Sequence, residues 1–310
     1  MLRLATLLLT TTVLACTSEP MQRQAVLIAH RGASAYAPEH TVASYELGIA
    51  QGADFIEPDL QITSDGTLVA LHDLTLERTT NVAAVFPERY REEMIRGELT
   101  RVWPVNDFTL AEISSLDAGS WFDPSFAAER VPTFAEVIEL ARGRAGLFIE
   151  TKAPEVYGIR GFDMEEMVLA ELAHHGLDQP GADPATPVVI QSFSAESLMI
   201  LRSEKGTTLP MSLLIGGDEA AAEWLTPDGL ARVGAFATGI GPAKDLLMDD
   251  PSVVQRAHGL DLTVIPWTFR ARSPGAFSSV EEEMTHFLDV LGVDGIITDN
   301  PDLFPRGGAS

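Results

Sequence analysis

Val26-Leu27-Ile28-Ala29-His30-Arg31-Gly32-Ala33-Ser34 decides how this 310-residue chain is read, because an apolar run ends there on a histidine and an arginine. The run reads as a buried strand, with His30 at its carboxyl end. Arg31-Gly32-Ala33-Ser34 then stands where a doubly wound dinucleotide-binding sheet would carry G-x-G-x-x-G. Similar runs recur at Asp54 to Leu60, Gly146 to Ile149, Pro187 to Ile190, Met211 to Ile215, Ala235 to Thr238, Leu262 to Trp267 and Gly295 to Thr298. Amphipathic stretches separate them, among them Thr133 to Ala141, Met164 to His175 and Ser194 to Ser203. About eight repeating βα units predict a parallel sheet closed into a (β/α)8 TIM barrel, an α/β fold; an open doubly wound sheet is the rival. Single barrels of about 250 residues are usual, and no Pro/Gly/Ser-rich linker divides the chain, so one domain is expected over 25–310.

Polar residues fall repeatedly where these runs end, the barrel face that carries chemistry. In Asp54-Phe55-Ile56-Glu57-Pro58-Asp59-Leu60 side chains alternate faces, so Glu57 and Asp59 project the same way. Two carboxylates on one face repel and are costly to bury, and a hard cation with oxygen ligands removes the conflict. Asp65-Gly66 makes a turn, after which Leu68-Val69-Ala70-Leu71 delivers His72 at a second strand end. Glu150 and Lys152 share a face by the same two-residue rule. Alone, an E-x-D pair is more often a solvated strand face and a single histidine at a strand end mere polar trim. Two histidines, an arginine and three acids at corresponding ends point instead to a metal and phosphate site. His174, His175, His258 and His286 are not spaced as metal ligands.

His30-Arg31-Gly32-Ala33, Pro38-Glu39-His40-Thr41, Gly52 to Asp59 and Thr67 to Asp73 together resemble the glycerophosphodiester phosphodiesterases. Further matches lie at Phe86 to Arg89, Asn106 to Ile113, Glu150-Thr151-Lys152, Gln191-Ser192-Phe193, Trp267-Thr268-Phe269 and Thr298 to Pro301. Members often read PENT where this chain reads PEHT; the histidine version is similar to the periplasmic branch, so His40 is a subfamily mark and receives no catalytic role. The resemblance implies metal-dependent hydrolysis of glycerophosphodiesters to sn-glycerol 3-phosphate and an alcohol. Glu57, Asp59 and Glu150 would hold one divalent cation, Ca²⁺ first and Mg²⁺ second. Arg31 and Lys152 would contact phosphate oxygens, and His30 and His72 would form the acid–base pair. The implied attacker is the glycerol's own adjacent hydroxyl, through a cyclic phosphate. Trp267 is a candidate for packing on the glycerol carbons, with plain barrel packing as its alternative. Gln191 and Asp299 are further pocket candidates. An insertion is expected at about 81–107, after the second histidine.

Met1-Leu2-Arg3 and the apolar Leu4 to Ala15 are too short to span a membrane and read as a signal peptide, 1–15. Val13-Leu14-Ala15-Cys16 resembles a lipobox, which makes Cys16 the acylation site, 16–24 a tether and the protein an exported, membrane-anchored lipoprotein facing the periplasm; secretion without lipid is the alternative. Cys16 is the only cysteine, so no internal disulfide forms. With 45 acidic against 21 basic side chains the formal charge is −24, and no basic run offers a nucleic-acid footprint. Small glycerophosphodiesters are therefore the expected partners, with membrane contact only through the anchor.

Two rivals remain at this level. A phospholipase D-like enzyme on intact lipids would need an apolar apron around the mouth, whereas the excursion carries Phe86, Tyr90 and Trp103 among many charges. A non-catalytic lipoprotein binding a phosphorylated ligand would bind substrate without turnover.

Overall fold

The computed structural model describes residues 25–306, so the signal peptide, Cys16 and the tether lie outside the described residues. In chain order the strands are β1 (Val26–His30), β2 (Phe55–Glu57), β3 (Asp59–Ile62), β4 (Leu68–Ala70), β5 (Arg91–Ile95), β6 (Glu98–Val102), β7 (Gly146–Thr151), β8 (Val188–Ser192), β9 (Met211–Ile215), β10 (Gly239–Pro242), β11 (Thr263–Val264) and β12 (Gly295–Thr298). Parallel pairing runs β11-β10-β9-β8-β7-β2-β1-β12, with helices between successive strands. The ends of that path meet: the Asp294 N–H donates to the Val264 carbonyl at 2.9 Å, and the Phe269 N–H to the Ile297 carbonyl at 3.0 Å. The fold is a (β/α)8 TIM barrel, and the sequence reading of its class holds.

Alternation along each strand sorts the core into two parts. Leu27, Ala29, Ile56, Leu147, Ile149 and Ile190 face outward into the large helix-covered cluster. Ile28, Phe148, Ile265 and Ile297 fill the barrel interior, with Phe55 and Val189 packed against them. Two residues beyond these six interior side chains stand His30, Glu150, Trp267, Asp299, Glu57 and Gln191. One period of the pleat therefore lifts each of these six side chains from the apolar plug to the barrel mouth. Register brings them level, since His30 pairs with Glu57, Asp59 with Glu150 and Glu150 with Gln191.

The expected helices form over Phe134–Ala141, Met164–His174 and Ala195–Ser203, each opened by a side-chain cap from Thr133, Asp163 or Ser194. Two expectations about strands need correction. The run 54–60 is broken at Pro58, which has no N–H for the ladder, although its carbonyl still accepts from the Glu150 N–H at 2.9 Å. β4 forms where expected after the Asp65-Gly66 turn; it pairs antiparallel with β3, off the barrel path, so His72 arrives on a hairpin arm. The strand expected at Ala235 to Thr238 lies instead at Gly239–Pro242, while Phe236 and Ala237 pack into the core behind a helix. Gly-Ile-Gly-Pro is a poor strand by propensity. A Cβ at Gly239 would stand 2.2 Å from Thr263 Oγ1, so close approach of neighbouring backbone dictates glycine there.

From β4 to the helix at 134 the chain leaves the barrel. This excursion carries the exposed ribbon β5–β6 and its own small core, in which Leu71, Leu76, Val82, Trp103, Phe108 and Leu116 are buried and Phe86 and Tyr90 are packed. The Trp103 indole donates to the Phe86 carbonyl at 2.8 Å.

Immediately after β1 the backbone turns through left-handed conformations at Arg31 (φ 57) and Gly32 (φ 84). A Cβ on Gly32 would sit 2.4 Å from Ser44 Oγ and 2.6 Å from its carbonyl oxygen. Gly32→Ala is therefore expected to cost about 3 kcal/mol or more, measured by denaturant unfolding, since it adds left-handed strain to overpacking. A change within about 0.5 kcal/mol would mean that the turn relaxes freely.

Candidate active site

His30, Arg31, Glu57, His72, Glu150, Lys152 and Trp267 line one chamber of about 90 Å³ at the barrel mouth. Asp59, Gln191 and Asp299 attach to it by direct contacts described below, so all ten barrel residues singled out from sequence converge. Cys16 lies outside the described residues.

Glu57, Asp59 and Glu150 are all buried, and one oxygen from each lies within 4.8 Å of the others. Gln191 Nε2 donates to Glu57 Oε1 at 2.8 Å, and the Arg31 N–H donates to Glu57 Oε2 at 3.0 Å. Lys152 Nζ stands 2.8 Å from Glu150 Oε1. Burial, then the Asp59 and Glu150 charges, drives the Glu57 carboxyl well above the ordinary range. Burial and the Asp59 charge push Glu150 up to about 8. Asp59 goes the other way: Lys152, His40 and Arg31 outweigh burial and hold it well below the usual range. Asp59 Oδ1 is buried without a hydrogen-bond partner among the described residues. A crowded set of buried carboxylates with an orphaned oxygen is what a hard divalent cation relieves, and the triad fits one.

Each imidazole is held by a carboxylate. His30 Nδ1 lies 2.6 Å from Asp299 Oδ1, and Arg270 Nε donates to Asp299 Oδ2 at 2.8 Å. Against burial, the His30 hydrogen bond and the Arg270 charge keep Asp299 at about 2. Burial, reinforced by the Arg31 charge, lowers His30 to about 4, so at neutral pH it carries one proton. A carboxylate only accepts, which places that proton on Nδ1 and leaves Nε2 a lone pair. His72 Nδ1 lies 2.6 Å from Asp73 Oδ1 on the hairpin arm. Asp73 is in turn bonded by Arg78 Nε, and the Arg78 fork reaches Glu39 at 2.9 and 2.6 Å. Glu39 also accepts from Arg31 Nη1 at 3.0 Å. Arg78, from the excursion, thereby ties the His72 support to the Arg31 support.

Sequence reasoning gave no role to Glu39, Asp73, Arg78 and Arg270, although Glu39 and Asp73 stand inside the quoted segments Pro38 to Thr41 and Thr67 to Asp73. His40 proves to be more than a mark of descent. It is buried in a left-handed conformation (φ 58), with Nε2 2.9 Å from Asp59 Oδ2 and Nδ1 2.8 Å from the Tyr45 hydroxyl. It is a positioning residue for Asp59. Trp267 is fixed by its indole N–H, which donates to the Gly241 carbonyl at 2.7 Å, and by an edge contact with Phe193 at 5.5 Å.

Residues 30–303 match the Glycerophosphoryl diester phosphodiesterase family. The chain is 37% identical over 287 residues to a glycerophosphodiester phosphodiesterase of Bacillus subtilis, covering 90% of this chain and 85% of that protein. It is 29% identical to the Haemophilus influenzae glycerophosphodiester phosphodiesterase, covering 91% and 89%. Among solved structures it resembles the Agrobacterium tumefaciens glycerophosphodiester phosphodiesterase, with a TM-score of 0.67, 28% identity and coverage of 91% and 99%. An Oleispira antarctica phosphodiesterase in complex with the product sn-glycerol-3-phosphate gives a TM-score of 0.67 at 25% identity, covering 89% and 94%. Fold, site and sequence agree: the chain belongs to the glycerophosphoryl diester phosphodiesterase family and is an enzyme of that class.

Proposed function

We propose that the protein hydrolyses small glycerophosphodiesters to sn-glycerol 3-phosphate and an alcohol by histidine acid–base catalysis at a divalent metal site. The observation that carries this reading is the placement of two carboxylate-held imidazoles around a buried three-carboxylate cluster in one small chamber. Glu57, Asp59 and Glu150, on β2, β3 and β7, would hold the cation, Ca²⁺ in preference to Mg²⁺ because an all-oxygen set of three carboxylates suits the larger ion's adaptable coordination. When bound, it supplies positive charge that offsets charge gathering on the phosphoryl oxygens.

Arg31 and Lys152 contact the non-bridging oxygens, Arg31 with its guanidinium fork and Lys152 as a point charge. The glycerol's adjacent hydroxyl attacks phosphorus, giving its proton to one imidazole. As the bond to the alcohol breaks, the other imidazole protonates the departing oxygen. Water then opens the cyclic phosphate with the two histidines exchanging roles. Asp299 and Asp73 keep the two rings oriented throughout. Trp267, held rigid, packs on the glycerol carbons. The leader and the lone Cys16 support an exported, lipid-anchored enzyme working outside the cytoplasm.

Purified protein with Ca²⁺ or Mg²⁺ is expected to release glycerol 3-phosphate from sn-glycero-3-phosphocholine and little choline from intact phosphatidylcholine. Phe86 and Trp103 packing within the excursion, where they cannot form a lipid-facing apron, supports that preference. Comparable choline release from intact lipid would favour the phospholipase D-like reading. Tight binding without turnover would leave only a receptor.

A further inference from the structure

The central chamber, at about 90 Å³, has room for little beyond a glycerol phosphate. The remainder of a diester must therefore lie outside it, and two larger cavities adjoin. One, of about 620 Å³, continues from His72, Glu150 and Lys152 toward Glu155 and Phe193. The other, of about 470 Å³, continues from His30, Arg31 and Arg270. Their charges differ. In the first, Asp73, Glu150 and Glu155 face the single cation Lys152. In the second, Arg31, Arg78, Arg270 and Arg272 face only Glu39 and Asp299.

A surplus of guanidinium groups is unexpected on a chain whose formal charge is −24. Four arginines gathered beside a phosphate site repel one another, and Glu39, Asp59, Asp73 and Asp299 already answer three of them. Three of the four are tied to carboxylates that the site already uses: Arg31 and Arg78 to Glu39, and Arg270 to Asp299. Arg272 is different. Its side chain is 79% exposed, and its guanidinium comes no nearer than 3.8 Å to Asp299 Oδ2. Tyr36 and Asn300 line the same cavity, and the Asn300 amide donates to the Tyr36 hydroxyl at 2.9 Å, adding polar groups that can bond a hydroxylated ligand.

We propose that this arginine-lined cavity is a second anion subsite, which receives the alcohol half of the diester and selects alcohols bearing a further phosphate or carboxylate, with Arg272 as a specificity-determining residue. The inference rests on the hydrolytic reading given above and names the substrate class of that site. An anionic head group placed there gains charge-assisted hydrogen bonds from Arg272 and Arg270, while a quaternary ammonium meets repulsion.

The experiment compares kcat/KM for sn-glycero-3-phosphocholine with that for sn-glycero-3-phosphoinositol 4-phosphate, in the wild type and in Arg272→Gln and Arg272→Glu. The exposed position makes both variants safe for folding. The wild type should prefer the phosphorylated diester about tenfold or more, the worth of one charge-assisted contact. Arg272→Gln should erode that preference and Arg272→Glu abolish it, by slowing the phosphorylated diester while the choline diester holds its rate or gains as the repulsion is relieved. No preference in the wild type, or equal losses on both substrates, overturns the subsite while the hydrolytic reading stands. Failure to turn over either diester overturns the hydrolytic reading, and the subsite falls with it.

Discussion

Alanine at His30 or at His72 lowers kcat about 10²–10⁴-fold, the usual worth of a positioned general acid or base, and changes KM far less. The two losses do not add, because each imidazole acts only in concert with the other across a single displacement. Neither change should unfold the protein. His30 stands at the mouth end of β1, above the apolar plug, and His72 is half-buried on the hairpin arm. Steady-state rates on sn-glycero-3-phosphocholine, with a circular-dichroism melt as the control, decide the matter. Near-normal kcat in either variant would remove that histidine from proton transfer.

Chelation is the second large effect, with two readouts: turnover is lost, and so is thermal stability. The metal-free site holds Glu150 up at about 8, against an ordinary 4.5, chiefly through burial and then the Asp59 charge. Between those values the folded protein keeps a proton that the unfolded chain has shed. The metal-free fold therefore loses stability as pH rises through that window. A divalent cation displaces the proton and cancels the repulsion, so its stabilising effect grows over the same range. At about 100 times its Kd the gain is about 2.7 kcal/mol, roughly 4–5 °C in Tm for a chain of this size. Calorimetric melts with EDTA or Ca²⁺ at pH 6 and pH 8 should show the larger gap at pH 8. A gap that is absent, or larger at pH 6, would argue against a metal held by these carboxylates.

The barrel and the inner face of its site were legible because both depend on short-range alternation. A residue two places beyond a buried apolar side chain must point the same way, and this rule set Glu57 beside Asp59 and Glu150 beside Lys152. Where local preference and tertiary demand conflict, the reading slipped. Gly239-Ile240-Gly241-Pro242 forms a strand where the close approach of Thr263 leaves room only for glycine, and the run 54–60 breaks at Pro58. The supports were harder still to see. Asp299 meets His30 across 269 positions of sequence and Arg78 meets Glu39 across 39, and nothing local marks either pairing. His40 looked like a family trait because its partner, Asp59, is reached only after the chain has passed through a helix and returned.

The excursion's separate core has a consequence for how this enzyme can diversify. His30, its aspartate and the carboxylate triad belong to the barrel, whereas His72, Asp73 and Arg78 ride on or beside a body with its own apolar centre. The two bodies meet around the chamber through ionic ties such as Arg78 to Glu39 and through neutral hydrogen bonds such as the Asn106 amide to the Ile62 carbonyl. Repacking within the excursion can therefore move the chamber wall that carries His72 while Glu57, Asp59 and Glu150 keep their places on the barrel strands.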